Sequence, residues 1–397
     1  MSSEWKTYTV QELIDAGMLD EPLDGNHGSI HPKASDYVSA GVPFIMANDL
    51  VNGKVDYANC AYITEAQAST LRKGFAKPGD VLLTHKATIG RTAIVSDEYD
   101  TIILTPQVTY YRVKKGISNR YLKYYFDSST FQQLFANWAG SGSTRAYLGI
   151  TAQRKLPIVL PPYEVQLKIA KCCGVLDDKI YQNQRINDNL ADLLQTIYQE
   201  RFGNDILAVN QGVLSDICSY SRDKVAVSEL NVRTYFSTEN MLSGKAGSTE
   251  ATSLPTTSQT TACHKGDTLI SNIRPYFKKI VYCEDKCGCS TDVLCFTPSQ
   301  PRYSAYLFST LYADKFFAFM VAGSKGTKMP RGDKQQIMTY PVVLPSEEEL
   351  AGFNTIASPL LEQIYSNRAE NKRLSVLRDT LLPKLMSGEI NVSAVQL

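Results

Sequence analysis

The chain has 397 residues, 43% apolar and 20% charged, enough to bury two or three ordinary cores. Forty-one basic residues against forty acidic ones leave a net charge of +1, so any nucleic-acid footprint must be local rather than spread over the surface. The start MSSEWKTYTV has no signal-peptide core, and no run approaches the ~18 apolar residues of a membrane span, which predicts a soluble cytoplasmic protein without a membrane partner.

The first region, residues 1–156, reads as α+β. VQELIDAG is a short opening helix, and Val42 to Met46 an apolar strand among turn residues. GDVLLTHKATIGRTAIV predicts a hairpin, with strands Val81–Leu83 and Thr92–Val95 around a turn at Ile89–Gly90. Thr101–Leu104 and Val108–Val113 are further β-rich runs, and ISNRYLKYYFDSSTFQQLFANWAG reads as one helix with an aromatic inner face. The glycine- and serine-rich GSGSTRAY and a short apolar run then lead to Pro161–Pro162.

Residues 157–203 form a central spacer helix. Ile169, Cys173, Leu176, Ile180, Asn183, Asn187, Leu190, Leu194, Ile197 and Arg201 follow one another at alternating spacings of four and three, the seam of a helix that lies against another helix. A shift of 184 places lands on Phe353, Ala357, Leu360, Ile364, Asn367, Asn371, Leu374, Arg378, Leu381 and Leu385. Even the two asparagines recur. Residues 346–397 are therefore a second such helix with a tail. Ser346 and Glu349 form a capping box at its start, and Pro383 is expected to end or kink it.

The region between, residues 204–345, repeats the first. FIMANDLVNGK matches YFSTENMLSGK, Gly79–Asp80 matches Gly266–Asp267, TPQV matches STDV, GSGSTR matches GSKGTK, and LPIVLPP matches YPVVLPS. Several anchors in one order make the chain an internal duplication. The nine cysteines read as free thiols in a reducing compartment. Cys283, Cys287 and Cys289 lack the paired CxxC of a structural zinc site, so no metal is predicted.

A buried asparagine costs stability unless its amide is paired, and it penalises registers that place it opposite leucine. If the helices run antiparallel with the asparagines meeting, Asn183 faces Asn371, Asn187 faces Asn367, Ile180 faces Leu374 and Leu194 faces Leu360. A helix of about 40 residues is ~60 Å long, and two such rods pressed together would act as a ruler. The other reading is that each helix packs only on its own globular region.

Two α+β regions alternating with two similar long helices resemble the type I restriction–modification specificity subunits. LPPYEVQLKI at Leu160 to Ile169, the ending LRDTLLPKLMSGEI and the opening DGNHGSIHPKASDYVSAGVPFI carry that resemblance over essentially the whole chain. The second helix start, LPSEEELAGF, lacks the glutamine found at Gln166. The resemblance implies two globular target-recognition domains alternating with two long helices that pair as an antiparallel coiled coil. Each domain would read one half of a bipartite site in double-stranded DNA. The helices would set the spacer and seat two methyltransferase subunits, joined by restriction subunits in the full complex.

Three patches have the chemistry for DNA. Base reading needs directed donors and acceptors on exposed loops, and phosphate contacts need cations and small hydroxyl residues. Lys86 and Arg91 in the first half correspond to Asn272, Arg274 and Lys278 in the second, around a strand-linking turn. Arg145 and Tyr147 lie in the Gly140 to Tyr147 loop, whose counterpart carries Lys325, Lys328 and Arg331. Asn48 is a candidate base reader, matched by Glu239.

Enzymatic readings fail on the same residues. The chain has no GxxxxGK[ST] loop, no Asn/Asp-Pro-Pro-aromatic turn of an adenine methyltransferase, and no persuasive metal-nuclease spacing. It is expected to catalyse nothing by itself and to need no cofactor. The rival reading is an assembly scaffold that joins partner subunits through its helices without binding DNA.

Overall fold

The computed structural model describes residues 5–140, 146–203, 211–392 and 395. They fall into two compact units, Met1–Ile180 with Lys372–Leu397, and Tyr181–Asn371. Both are mixed α+β, and each contains two four-stranded sheets and one two-stranded sheet. The first unit adds the small Leu50–Val51 and Lys54–Val55 ribbon.

In the first unit, one sheet has the order Ala61–Ile63, Val42–Ile45, Ile102–Leu104, Phe75–Ala76. The other has the order Leu23–Asp24, Val108–Tyr111, Val81–Lys86, Thr88–Ile94. Every residue of Val81–His85 is buried: Val81 and Leu83 join the helix-covered cluster, and Leu82 joins the cluster with Ile45, Ile102 and Leu104 of the other sheet. Asn119–Asp127 and Ser129–Trp138 lie on this sheet and deliver Tyr121, Phe126, Phe131 and Phe135 to the core. The aromatic stretch predicted as one helix is thus two. Ser128 is extended (φ −62°, ψ 142°), and its hydroxyl accepts from Phe131 N to cap the second helix. Residues 157–160, placed at the head of the spacer helix by the sequence reading, form a strand paired antiparallel with Lys6–Thr9.

The second unit repeats this plan. Lys224–Ala226, Gln259–Cys263, Cys287–Cys289 and Tyr235–Phe236 form one sheet. Cys218–Tyr220, Val293–Pro298, Thr268–Ser271 and Ile280–Tyr282 form the other. The registers match between units. Ile103 pairs in parallel with Phe44 as Gly288 does with Tyr235, and Leu82 pairs with Tyr110 as Leu269 does with Cys295. Ser304–Tyr312 and Asp314–Ala322 are the two covering helices.

Two helices of 40 residues each, Tyr163–Phe202 and Glu347–Met386, contribute to both units. The second starts at the Ser346 capping box, where Ser346 N donates to Glu349 Oε2 (2.8 Å) and Glu349 N to Ser346 Oγ (3.2 Å). It does not end at Pro383 but continues to Met386, and Gly388 follows in the left-handed region (φ 75°). Proline takes one backbone N–H out of the last turn, and the backbone bonding resumes with Ser387 N donating to Pro383 O at 3.0 Å.

Within the first unit, Ile169, Ala170 and Cys173 share a buried cluster with Leu382 and Leu385. Asp177 Oδ1 accepts from Arg378 at 2.7 Å nearby. Within the second unit, Asn183 Nδ2 donates to Asn371 Oδ1 and Asn367 Nδ2 to Asn187 Oδ1, both at 2.9 Å. Leu194 is buried with Phe353, Ala357 and Leu361, and Leu360 and Ile197 flank them. Ile364 is buried, whereas Leu176, Ile180, Leu190 and Leu374 are half-buried.

Candidate nucleic-acid interface

In the first unit the strand Val81–Lys86 turns at Ala87, which adopts φ 64°, and returns as Thr88–Ile94. The observed turn therefore comes two residues before the predicted Ile89–Gly90, which lies inside strand, and the pairing shifts register between Leu83 and His85. A second segment closes on the strand end. Lys86 bridges Tyr147, Ala87 N donates to Ala146 O, and Leu148 N donates to His85 O. Lys86 Nζ lies 5.9 Å from the centre of the Tyr147 ring, which is 49% exposed. That geometry offers a cation and a stacking face side by side, the combination that grips phosphates and bases.

His85 lies beneath, fully buried, with its Nδ1 3.0 Å from Leu148 O. A carbonyl only accepts, so the neutral ring carries its proton on Nδ1. Burial pushes its pKa down to about 4, only partly opposed by Asp24. Asp24 is itself buried, and burial favours its protonated form. Lys73 and His27, whose Nε2 is 2.9 Å away, prevail and hold the carboxyl below its ordinary range. On the neighbouring edge, Arg91 is exposed and its guanidinium reaches Ala47 O at 3.5 Å, which brings it beside the exposed Asn48. Asp49 is structural, its carboxylate accepting from Met46 N at 2.7 Å.

The second unit builds the same corner with other side chains. Asn272 occupies the register of His85: its N donates to Asp292 O (2.8 Å) as His85 N does to Gln107 O (2.9 Å). Ile273 bridges Arg331 as Lys86 bridges Tyr147. Arg274 is left-handed (φ 50°), its N donates to Pro330 O (2.8 Å), and its guanidinium reaches Lys328 O at 3.5 Å. Four of the expected DNA-binding residues, Asn272, Arg274, Lys328 and Arg331, thus meet at one corner. Tyr276 and Phe277 beside them expose half and more than a third of their surface.

The cations are not equally available. Lys278 Nζ is held by Asp314 at 3.0 Å, together with Lys245 at 2.7 Å. Lys325 pairs with Asp333 at 2.7 Å and Arg331 with Asp292 at 3.0 Å. Arg145 lies outside the described residues.

Residues 2–191 match the family described as Type I restriction modification DNA specificity domain. Over nearly its whole length the chain is similar to the Type I restriction enzyme MjaIX specificity subunit of Methanocaldococcus jannaschii. The two are 23% identical across 98% of this chain and 94% of that one. Both matches support reading the chain as a type I restriction–modification specificity subunit. A 49-residue stretch, 12% of this chain and 11% of its relative, is 43% identical to the HindI specificity subunit of Haemophilus influenzae. The fold is shared with the type I restriction–modification S subunit from M. genitalium, at a TM-score of 0.58 and 15% identity over 96% of both chains.

These corners are built of donors, cations and aromatic faces. Among the described residues no group of three or more His, Cys, Asp or Glu is arranged to hold a metal ion, and no helix is long and apolar enough to cross a membrane. Sequence reasoning passed over His85, Thr105, Gln107 and Asp292. The TPQV–STDV match contained the signal for the last three, since Gln107 and Asp292 are equivalent positions in it.

Proposed function

We propose that this chain is the sequence-specific DNA-recognition subunit of a type I restriction–modification complex, with each globular domain reading one half of a bipartite site. The observation that carries this is the duplicated corner. Two domains of one plan present a cation-bearing strand end bridged to a second loop, Lys86 with Tyr147 and Ile273 with Arg331. A scaffold that only joined proteins has no use for the same polar corner twice.

In this reading the chain divides into recognition domains at 1–156 and 204–345, separated by spacer helices at 157–203 and 346–397. The helices pair antiparallel in the register of Asn183 with Asn371 and Asn187 with Asn367, supported by those amide bonds. Their outer faces expose Val175, Ile186, Leu193, Val376 and Leu377, apolar groups suited to docking two methyltransferase subunits. Restriction subunits complete the assembly, which works in the cytoplasm on double-stranded DNA. The chain supplies recognition, and its partners the chemistry.

Co-purification with the methyltransferase subunits, followed by a salt-dependent duplex shift assay and methylome sequencing of the host, tests this. The reading requires a duplex retained at low salt and a two-part methylated motif with a fixed gap. A complex that assembles yet retains no duplex at any salt means the scaffold reading is right.

A further inference from the structure

The first unit holds an open cleft of about 360 Å³ directly behind the Lys86–Tyr147 corner. Its walls include His27, His31, Met46, Lys86, Thr105 and Gln107. Thr105 is only 4% exposed, yet among the described residues its hydroxyl has no hydrogen-bond partner. A buried hydroxyl on a cleft wall without a partner points to a polar group that arrives from outside. Gln107 fixes its own polarity. Its Oε1 faces Ala47 N at 3.5 Å, so the amide NH2 is the end left to donate. Lys86 adds an ammonium, and among the described residues no carboxylate lines the cleft.

The second unit treats the same positions differently. Matching backbone bonds place Ser290 where Thr105 is (Val293 N to Ser290 O, 3.0 Å; Val108 N to Thr105 O, 3.1 Å) and Asp292 where Gln107 is. Arg331, in the place of Tyr147, closes that corner with its 3.0 Å ion pair to Asp292. The scaffold is shared, and the hydrogen-bonding groups at these positions are not. Two readers of different sequences must differ at such places.

A donor-rich wall selects a ligand edge with adjacent acceptors. In the DNA major groove only guanine presents two, N7 and O6; adenine needs an acceptor for its amino group. We propose that Thr105 and Gln107, together with Lys86, are the guanine-reading set of the first domain. This rests on the DNA-recognition role assigned above.

The test uses the complete chain assembled with its methyltransferase subunits. Methylomes are compared for the native chain, Gln107→Ala, Thr105→Val and the near-isosteric Gln107→Glu, alongside binding to duplexes carrying 7-deazaguanine at each guanine in turn. The expected result is a guanine in one half-site that either truncation relaxes and Gln107→Glu redirects to a base bearing an amino group, with the other half-site unchanged. On the native complex, 7-deazaguanine at that position weakens binding on the order of 10- to 100-fold, and the penalty vanishes in Gln107→Ala. The proposal is overturned if the variants leave every recognised base unchanged, or if they weaken all duplexes equally, as loss of a phosphate contact does. A native complex that neither binds nor methylates any duplex instead removes the recognition role itself.

Discussion

The two seam asparagines give the sharpest energetic prediction. Asn367 Nδ2 donates to Asn187 Oδ1 at 2.9 Å, while Asn367 Oδ1 accepts from Gln363 Nε2 at 2.8 Å, and both asparagines are buried. Asn187→Leu therefore removes only the first bond and strands one N–H of Asn367. An unmet buried donor costs about 1–3 kcal/mol, against which the added apolar burial returns about 1 kcal/mol, so the single change should destabilise by about 0–2 kcal/mol, centred near 1. Asn367→Leu strands Asn187 Oδ1, while the exposed Gln363 amide turns to water, and should cost a similar amount. The double replacement removes both halves of the pair and should be close to neutral. The expected coupling is thus about 2 kcal/mol, measured by urea unfolding of the four proteins followed by circular dichroism. Effects that add within about 0.5 kcal/mol would refute the amide pairing as an energetic contact.

Other perturbations probe the corners. Lys86→Ala should relax base preference at one half-site, whereas Lys328→Ala should weaken binding of duplexes by the full complex at the other and lower the salt slope of log K by about 1, read by competition binding. His85 should make the first unit acid-sensitive. Its folded pKa near 4 lies below the ordinary histidine value of 6.5, so the stability it supplies is complete above about pH 6.5 and is lost as pH falls through 4. That loss is about 3 kcal/mol at most, at ~1.4 kcal/mol per pH unit. His85→Gln, which keeps a donor for Leu148 O, should flatten unfolding midpoints between pH 6.5 and 4; an unchanged slope would assign the sensitivity elsewhere.

The duplication and the long helices were legible because they rest on spacing. Helical seams leave a period, and Gly-Asp turns and TPQV or STDV strands leave anchors at matching offsets. What the sequence hid depends on contacts remote in the chain. Cys263 and Cys295 join Cys283, Cys287 and Cys289 in one buried cluster, at the strand positions where the first unit has Ala76, Tyr110 and their apolar neighbours. Only three of those five stand close in sequence. The Ser128 break was hidden too, because a serine inside an aromatic periodic run reads as a tolerated helical residue until its hydroxyl is seen to cap. The basic loops were found from composition, but composition does not say which cations have acids nearby. Asp314, 36 residues from Lys278, holds it, and Asp333 holds Lys325.

The most direct measurement of the central claim is the methylome of a host whose chain carries one added turn, four residues, in each long helix. Four residues add about 6 Å, close to two base pairs at ~3.4 Å each. Both half-sequences should stay as they were while the gap between them lengthens. An unchanged gap, or altered bases in either half, would contradict two readers spaced by paired helices.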